Sequence, residues 1–437
     1  MADGSLQTDP AGMVEISEEG PGVEEPTWHV FDGVQGFTID RGRDNPFDDF
    51  SPGEFSLVLQ DRDIAGRDAG DLDPTNASSP FSGWLPKRRR HIRISGRDPY
   101  ATTGDWTQVF RGYTNTPEHT RPRPQHMELA ISGYDRLQLL GEQKLTRNSN
   151  RSRVYAEAQV DDRIRAALAD GGVPADLTWI ASGNIVCPET VYDGDATILE
   201  VVLDAAEAEF PKVAVFYVTK TGICRFLGRY LSLGGTDASL TSHDLVSAWS
   251  LGDWDALQID NTLIPIMANP APPLGGGDDM LINAVTCYPE GTAEATIASQ
   301  RVEDLTSIGE YGEVSIDIGN LVLKDGSPNN GTTGLEEAAF FAQWIVGNWK
   351  TPKARLQVSV KGMPETPNHP ATWPFIFGVE LHDLVDVAIS NPGGGGLEAE
   401  QYFVEHISLE YTPPYTWWCH LDLSPRPSTA DYPYAGP

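Results

Sequence analysis

Positive charge is scarce in this sequence. Its 437 residues include 31 Lys and Arg against 63 Asp and Glu, which gives a formal net charge of −32 at pH 7. Ordinary DNA- or RNA-binding proteins need clustered Lys and Arg, because neutralised phosphates release counterions. The charge balance therefore disfavours nucleic-acid binding and favours solubility.

Cysteine and long apolar runs are also scarce. The four cysteines are Cys187, Cys224, Cys287 and Cys419. Their wide spacing matches neither a zinc knuckle nor a disulfide scaffold, so we expect buried free thiols in a protein made in a reducing cytoplasm. No apolar run approaches the roughly 18 to 20 residues of a membrane helix, and the acidic N-terminus is unlike a secretory signal. We expect no membrane anchoring.

Signatures of catalysis and cofactor binding are missing as well. The sequence has no Gly-Lys pair, which excludes a P-loop, and it lacks HExxH, GxSxG and a GxGxxG between strand and helix. Acidic stretches at 61–63 and 71–73 lack the spacing of a calcium loop and are expected to be solvated. We expect no enzyme activity, no cofactor and no metal site.

Two enzymatic alternatives stay open at this level. A glycosidase needs two converging carboxylates, and 63 acidic residues neither identify nor exclude such a pair. A peptidase dyad could combine Cys187 with His243, although a buried apolar cysteine is the simpler interpretation.

Aromatic residues are plentiful, with 11 Trp, 14 Tyr and 15 Phe, so the chain is expected to fold despite its charge. Apolar and polar residues alternate at 55–59, 127–131, 356–360 and 417–423, which predicts β-strands. Helical spacing occurs at 160–168, at 198–205 after a Thr197–Glu200 capping box, and at 335–349. The fold class is therefore mainly β with an α+β insertion.

The predicted organisation has six parts. They are an acidic flexible arm (1–26), a first antiparallel β-barrel (27–145), an inserted α+β module (146–258), a linker plus β/α segment (259–350), a second β-barrel (351–427) and a C-terminal tail (428–437). The arm carries seven acids and no Lys or Arg, so we expect a partner to order it. The linker is predicted from the Pro- and Gly-rich stretch 268–279.

One stretch concentrates positive charge. It comprises Lys87, Arg88, Arg89, Arg90, Arg93 and Arg97, and we call it the basic segment. In so acidic a chain its expected partners are carboxylates of a neighbouring subunit, which makes it a candidate subunit interface. The alternative is a face that contacts DNA.

Short motifs in a fixed order resemble a known family. They lie at 39–43, 48–53, 55–63, 110–113, 133–140, 281–285, 304–312, 402–408 and 417–424. Together they resemble the minor tail proteins of long-tailed bacteriophages, which are similar to the central hub of contractile-tail baseplates. Two positions depart from the family pattern, because His382 and His406 stand where Gly is commoner.

The resemblance implies two hub-type antiparallel β-barrels per chain flanking the α+β module, and assembly as a homotrimer. Six β units would then match a threefold ring to a sixfold tail tube. Expected partners are the distal tail protein, the tape measure and other tail-tip proteins, with DNA passing transiently through an acidic lumen. The expected location is the tail tip of the virion, and an excess of Arg (23) over Lys (8) points to a siphophage of a GC-rich actinobacterial host.

Two other functions remain as alternatives. A hexameric distal tail or receptor-binding protein could recognise the host cell wall by stacking Trp373, Trp417 and Trp418 on sugars. A cell-wall hydrolase of the tail tip is the second.

Overall fold

The computed structural model describes most of the chain. The described residues are 11–23, 26–31, 33–61, 70–73, 76–85, 87–98, 106–123, 126–145, 152–183, 185–209, 213–228, 249–253, 257, 262–266, 281–289, 300–321, 334–353, 355–362, 371–390, 397–414 and 416–428. The linker stretch 268–279, His243 and most of the predicted C-terminal tail lie outside them.

Strands dominate these residues. The strands are β1 (Gly12–Ser17), β2 (Trp28–Phe31), β3 (Val34–Gly42), β4 (Ser51–Asp61), β5 (His91–Gly96), β6 (Thr107–Thr114), β7 (Glu118–Arg123), β8 (His126–Tyr134), β9 (Ser152–Tyr155), β10 (Ala158–Gln159), β11 (Thr178–Ile180), β12 (Val186–Cys187), β13 (Thr190–Asp193), β14 (Val215–Val218), β15 (Cys224–Leu227), β16 (Trp249–Gly252), β17 (Ile264–Pro265), β18 (Ala284–Pro289), β19 (Gln300–Glu303), β20 (Ser315–Leu321), β21 (Leu356–Gly362), β22 (Leu384–Ser390), β23 (Leu397–Thr412) and β24 (Thr416–Pro425). The α-helices are α1 (Arg136–Glu142), α2 (Val160–Asp170), α3 (Ile198–Glu209), α4 (Leu305–Tyr311), α5 (Gly334–Trp349) and α6 (Thr372–Gly378). The mainly β prediction is confirmed.

The two predicted β regions share one large sheet. Its main path runs β17-β16-β22-β23-β3-β4-β8-β6-β5-β1-β2, while β24 pairs with β23 and β21, and β7 pairs with β8. The link between the regions is the antiparallel pair β3–β23, in which Ile39 lies opposite Leu409. Among the described residues these pairings close no barrel, so the two-barrel arrangement stays a prediction.

The expected strand periodicity is reproduced in the core. Phe55, Leu57 and Leu59 of β4 are buried, as are Leu129 and Ile131 of β8. In β24 the buried side chains at 417, 419, 421 and 423 alternate with partly exposed ones. One side of each strand faces the core, which is what period-2 patterning requires.

The predicted flexible arm is partly wrong. Residues 12–17 form β1, which pairs antiparallel with both β5 and β2. Val14 and Ile16 are completely buried in the main core, and burying two such side chains stabilises a fold by about 3–6 kcal/mol. Burial of these apolar side chains therefore orders the segment despite its many acidic residues. Residues 1–10, 24 and 25 lie outside the described part.

The inserted module is an α+β unit with its own core. α2 and α3 pack on small sheets formed by β9–β15, and the capping box at α3 is present, with mutual hydrogen bonds between Thr197 and Glu200. β14 is buried on both faces. Val215 and Tyr217 contribute to the main core, while Phe216 and Val218 contribute to the module's core. This strand therefore contributes side chains to both cores and packs the module against the main sheet.

The predicted end of the module at residue 258 needs correction. β16 pairs in parallel with β22, and Leu251 is fully buried in the main core. The segment 249–252 thus belongs to the main sheet. A further unit follows, in which β18, β19 and β20 form a small sheet covered by α5. Among the described residues no helix combines the length and apolarity needed to cross a membrane.

Candidate assembly site

The basic segment folds against its own chain. Arg93 on β5 lies directly opposite Glu15 on β1, and its guanidinium donates two hydrogen bonds to that carboxylate, the Nη2–Oε1 one at 2.7 Å. The same guanidinium covers the ring of Trp28 at 4.5 Å. Arg89 pairs with Glu142 of α1. These carboxylates belong to the same chain, not to a neighbouring subunit.

The remaining members of the segment divide into two groups. Arg90 donates to the Glu18 carbonyl at 2.6 Å, and Arg97 is buried over the ring of Trp106 at 4.9 Å. Lys87 and Arg88 are exposed. Two of the six predicted interface residues therefore project into solvent, while the other four help to fix the sheet edge.

A buried charged junction lies where the module meets the main sheet. Its members are Arg41 of β3, Lys220 of the β14–β15 turn, Glu380 after α6, and Asp135 before α1. Arg41 donates to Glu380 and to the Val218 carbonyl at 2.7 and 2.8 Å, and the Lys220 backbone N–H donates to the other Glu380 oxygen at 2.9 Å. The strand β3 and the β14–β15 turn are thus both tied to the carboxylate that follows α6, so three separate parts of the chain meet here.

Lys220 also locks the module's hairpin onto a helix end. Its ammonium donates to the carbonyls of Phe377, Gly378 and Val379, the last residues of α6 and its cap. A cation is favourable there because helix carbonyls are unpaired and the helix dipole is negative at its C-terminus. Gly222 permits this tight turn with φ +83°.

The two carboxylates of the junction have pKa values shifted in opposite directions, because Glu380 is paired with cations and Asp135 forms no ion pair among the described residues. Burial by itself would raise the pKa of Glu380, but the charges of Arg41 and Lys220 outweigh it, so the net shift is downward. Burial raises the pKa of Asp135 to about 6, even though its carboxylate accepts the Leu137 N–H at 2.8 Å and caps α1. Gly53 allows this crowding, since a Cβ there would lie 2.7 Å from the Arg41 side chain.

A second buried ion pair secures the link between β3 and β23. Arg43 donates through Nε to Glu405 at 2.7 Å, and both side chains are almost fully buried. Glu405 also accepts from Ser424, and Arg43 lies over the Phe50 ring at 4.6 Å. Burial by itself would raise the pKa of Glu405, but the charges of Arg43 and His382 together with the hydrogen bonds from Arg43 and Ser424 lower it by more, so the net shift is downward.

Next to this pair, His382 explains one departure from the family pattern. Its backbone has φ +63°, a conformation that Gly adopts without steric cost. The ring stacks on Phe403 with centroids 4.4 Å apart and planes 7° apart. A packing contact therefore accompanies the strained backbone at a position where the family commonly has Gly.

The residues named for the alternative functions are mostly buried. Trp373 and Trp417 lie inside the main core, which removes them as a sugar-binding platform, while Trp418 is partly exposed and stacks on His420. All four cysteines are buried. Burial raises the pKa of the Cys224, Cys287 and Cys419 thiols to about 12, which disfavours the reactive thiolate.

Metal-ligating groups are not gathered in the part of the chain that the structure describes. There, no cluster of three or more His, Cys, Asp or Glu side chains could hold an ion. Asp71 and Asp73 fall within that part, whereas residues 62 and 63 do not.

The overall fold is similar to that of two tail proteins of solved structure. The 43 kDa tail protein of prophage MuSo2 from Shewanella oneidensis superposes with a TM-score of 0.54 at 12% identity, over 95% of this chain and 97% of that one. The tail protein from Neisseria meningitidis MC58 gives 0.53 at 13% identity, over 98% and 100% of the two chains. No protein-family model and no curated protein matches the sequence. These findings show that the chain shares the fold of the two tail proteins over nearly its whole length.

Proposed function

We propose that this chain is a structural protein of a phage virion, which forms a trimeric hub at the tip of the tail. The observation that carries the proposal is the fold shared with two tail proteins over at least 97% of their lengths, not over one domain. The order of the short family motifs supports the same conclusion independently. The family that these motifs resemble belongs to long-tailed phages, and the excess of Arg (23) over Lys (8) favours a siphophage of an actinobacterial host.

Within the ring, each subunit would contribute two β units, one from residues 27–145 and one from 351–427. Three subunits would then present six β units to a sixfold tail tube. The buried ion pairs at 41–380 and 43–405 suit this role, because they tie both units and the module into one body that can carry load. The −32 charge would keep the genome sliding through the lumen, since like charges repel the DNA backbone.

The interface would involve the exposed end of the basic segment. Lys87 and Arg88 point into solvent on an acidic molecule, so carboxylates of a neighbouring subunit or of the distal tail protein are their natural partners. The four other basic residues would act indirectly, by holding the sheet edge in shape. The tape measure and other tail-tip proteins would contact the remaining surface.

Native mass spectrometry of the purified chain and cryo-EM of the tail tip test the proposal. We expect three copies around the axis, and six equivalent copies would replace the hub with the hexameric distal-tail alternative. The double variant Lys87→Gln/Arg88→Gln should dissociate the ring at lower salt than wild type. Arg153→Gln/Arg165→Gln removes the same charge from exposed positions on the module and serves as the control.

An opposite result would reassign the exposed basic residues. If Lys87→Gln/Arg88→Gln leaves the ring intact at every salt concentration while DNA ejection becomes faster, these side chains line the lumen and brake the DNA. Turnover of purified host cell wall by the wild-type ring, lost in Cys187→Ala, would instead support the hydrolase alternative.

A further inference from the structure

A pocket of about 680 Å³ lies between the first β region and the inserted module, and cations dominate its polar lining. Its charged and titratable residues are Arg89, His91, Arg111, Tyr113, Arg136, Glu142 and Lys144. The wall on the module side is formed by 171–174, just after α2, and the opposite rim by 21–23. A pocket of this size falls in the range of small-molecule sites, roughly 300–1,000 Å³.

Only part of the positive charge in this pocket is compensated. Glu142 is engaged by Arg89, and Lys144 reaches out to Asp195 at 2.7 Å. The ring of His91 donates through Nε2 to the Gly20 carbonyl at 2.9 Å, and burial lowers its pKa to about 4, so it is neutral at pH 7. The charge left over belongs to two arginines.

Arg111 and Arg136 form an uncompensated pair of like charges. Among the described residues neither takes part in an ion pair, and the polar contact of Arg136 is a long one, 3.4 Å from Nη2 to the Tyr113 hydroxyl. Burial lowers the pKa of Arg111, and the charges of Arg136 and, to a smaller extent, Arg93 lower it further, while Tyr113 and Asp176 act in the opposite direction. Two partly buried guanidiniums that repel each other are costly unless an anion joins them.

The positions of these cations are fixed by the surrounding backbone. Arg111 lies within β6, and its aliphatic stem packs on Gly222 of the module, where an added Cβ would lie 3.0 Å from Arg111 Cδ. Arg136 is the first residue of α1, which the buried Asp135 caps. Arg89 holds a left-handed backbone with φ +61°, an uncommon conformation for a side chain of this size. The cations of the pocket are therefore held in place by regular secondary structure, and one of them, Arg89, has a strained backbone.

We propose that this pocket binds a compact dianionic oxyanion, a phosphate or a dicarboxylate group, between the guanidiniums of Arg111 and Arg136. Guanidinium forks match both chemistries through paired N–H···O bonds. A bound anion would remove the repulsion between the two arginines and bridge the β region to the wall at 171–174. This site is independent of the proposed hub function, since it belongs to the isolated chain and requires no ring.

Calorimetric titration of the purified full-length chain tests the site, with inorganic phosphate and the dicarboxylate succinate as separate probes at constant ionic strength in chloride. We expect one of them to bind at one site per chain with Kd below about 1 mM. At a hundredfold excess over Kd the thermal midpoint should rise by about 2–5 °C. The better probe distinguishes phosphate from carboxylate chemistry.

Variants assign the binding to the two arginines. Arg111→Gln and Arg136→Gln should each weaken the binding at least tenfold, and Arg111→Lys, which keeps the charge but loses the fork, should weaken it less. Arg165→Gln, on the outer face of α2, is the charge-matched control and should leave Kd unchanged. Without ligand, Arg111→Gln should be as stable as wild type or more so, because a like charge is gone.

Two results would overturn the site. One is no saturable binding of either probe up to about 10 mM, since weaker association would be nonspecific. The other is binding that survives unchanged in Arg111→Gln, Arg136→Gln or both. If these variants do not fold, the binding of wild type and Arg111→Lys still decides the matter.

Discussion

Two sets of ion pairs hold this molecule together, and they differ in burial. Arg41–Glu380 and Arg43–Glu405 lie inside the fold and join segments more than 330 residues apart. In Arg93–Glu15 and Arg89–Glu142 the two arginine side chains are 34% and 36% exposed, although the Glu15 side chain is only 6% exposed. Both sets consist of arginine–carboxylate pairs, but water reaches the arginines only in the second set.

The difference decides what each set can do. A buried pair is costly to break, because the remaining charge is stranded in a medium that solvates it poorly. An exposed pair contributes about 0–1 kcal/mol and is screened by salt. The buried set therefore fixes how the β regions and the module are joined, whereas in the proposed ring the exposed set would be able to exchange its partners.

Replacing Glu405 by Gln should have the largest effect of the changes considered. The substitution keeps the shape but leaves Arg43 buried without its countercharge, and we expect a loss of about 3–5 kcal/mol in the free energy of unfolding. Differential scanning calorimetry should show a thermal midpoint several degrees lower. The matched control is Glu410→Gln, five residues along the same strand and exposed. Equal shifts in both variants would contradict the proposed role of burial.

Much of the secondary structure could be predicted from the sequence. The alternation in β4, β8 and β24 and the helical spacing of α2, α3 and α5 all identify real elements, because burial on one face leaves a local periodic signal. The seven-residue helices α1, α4 and α6 were not predicted. Helices so short are stabilised by caps and tertiary packing more than by their own sequence.

The pairing of β3 with β23 could not be predicted. Periodicity says which face of a strand is buried, but nothing about which strand lies beside it. The same limit applies to the basic segment. Its need for carboxylate partners follows from composition, yet Glu15 was assigned to a flexible arm, so a neighbouring subunit was the natural choice. The alternation of Val14 and Ile16 was the available signal, and seven nearby acids obscured it.

Asp135 provides a sharper comparison, because it is a buried carboxylate that makes no ion pair among the described residues. Its pKa of about 6 in the folded protein exceeds the unfolded value of about 3.9. Between these values the native state binds more protons than the unfolded state, so this group's contribution to stability falls as pH rises from about 4 to 6. Above pH 6 the folded protein carries the full free-energy cost of burying the ionised Asp135 carboxylate.

Asp135→Asn should therefore stabilise the protein at pH 7 by about 2 kcal/mol, since Asn keeps the helix cap without the buried charge. The difference from wild type should shrink as pH falls and vanish below about pH 4. Urea unfolding of both proteins across pH 4–8 measures it. A difference that does not vary with pH would show that the carboxylate of Asp135 is not the titrating group.

Arg93→Gln should have the smallest effect, and it tests the exposed set. Arg93 is 34% exposed while Glu15 is only 6% exposed, so losing the two hydrogen bonds to Glu15 and the contact with Trp28 leaves a carboxylate that water hardly reaches. We expect a cost of about 1 kcal/mol at low salt, at the upper end of the range for exposed pairs. The difference from wild type should decrease in about 1 M NaCl, where the Debye length is about 3 Å.

Arg153→Gln, which breaks an exposed pair with Asp170 in the module, is the control for a generic surface charge. Thermal midpoints of the isolated chain and native mass spectra of the ring should be compared for each variant. If Arg93→Gln leaves the isolated chain unchanged but dissociates the ring, Arg93 exchanges Glu15 for a carboxylate of a neighbouring subunit, and its pairing within the chain is not the one that matters in the assembly.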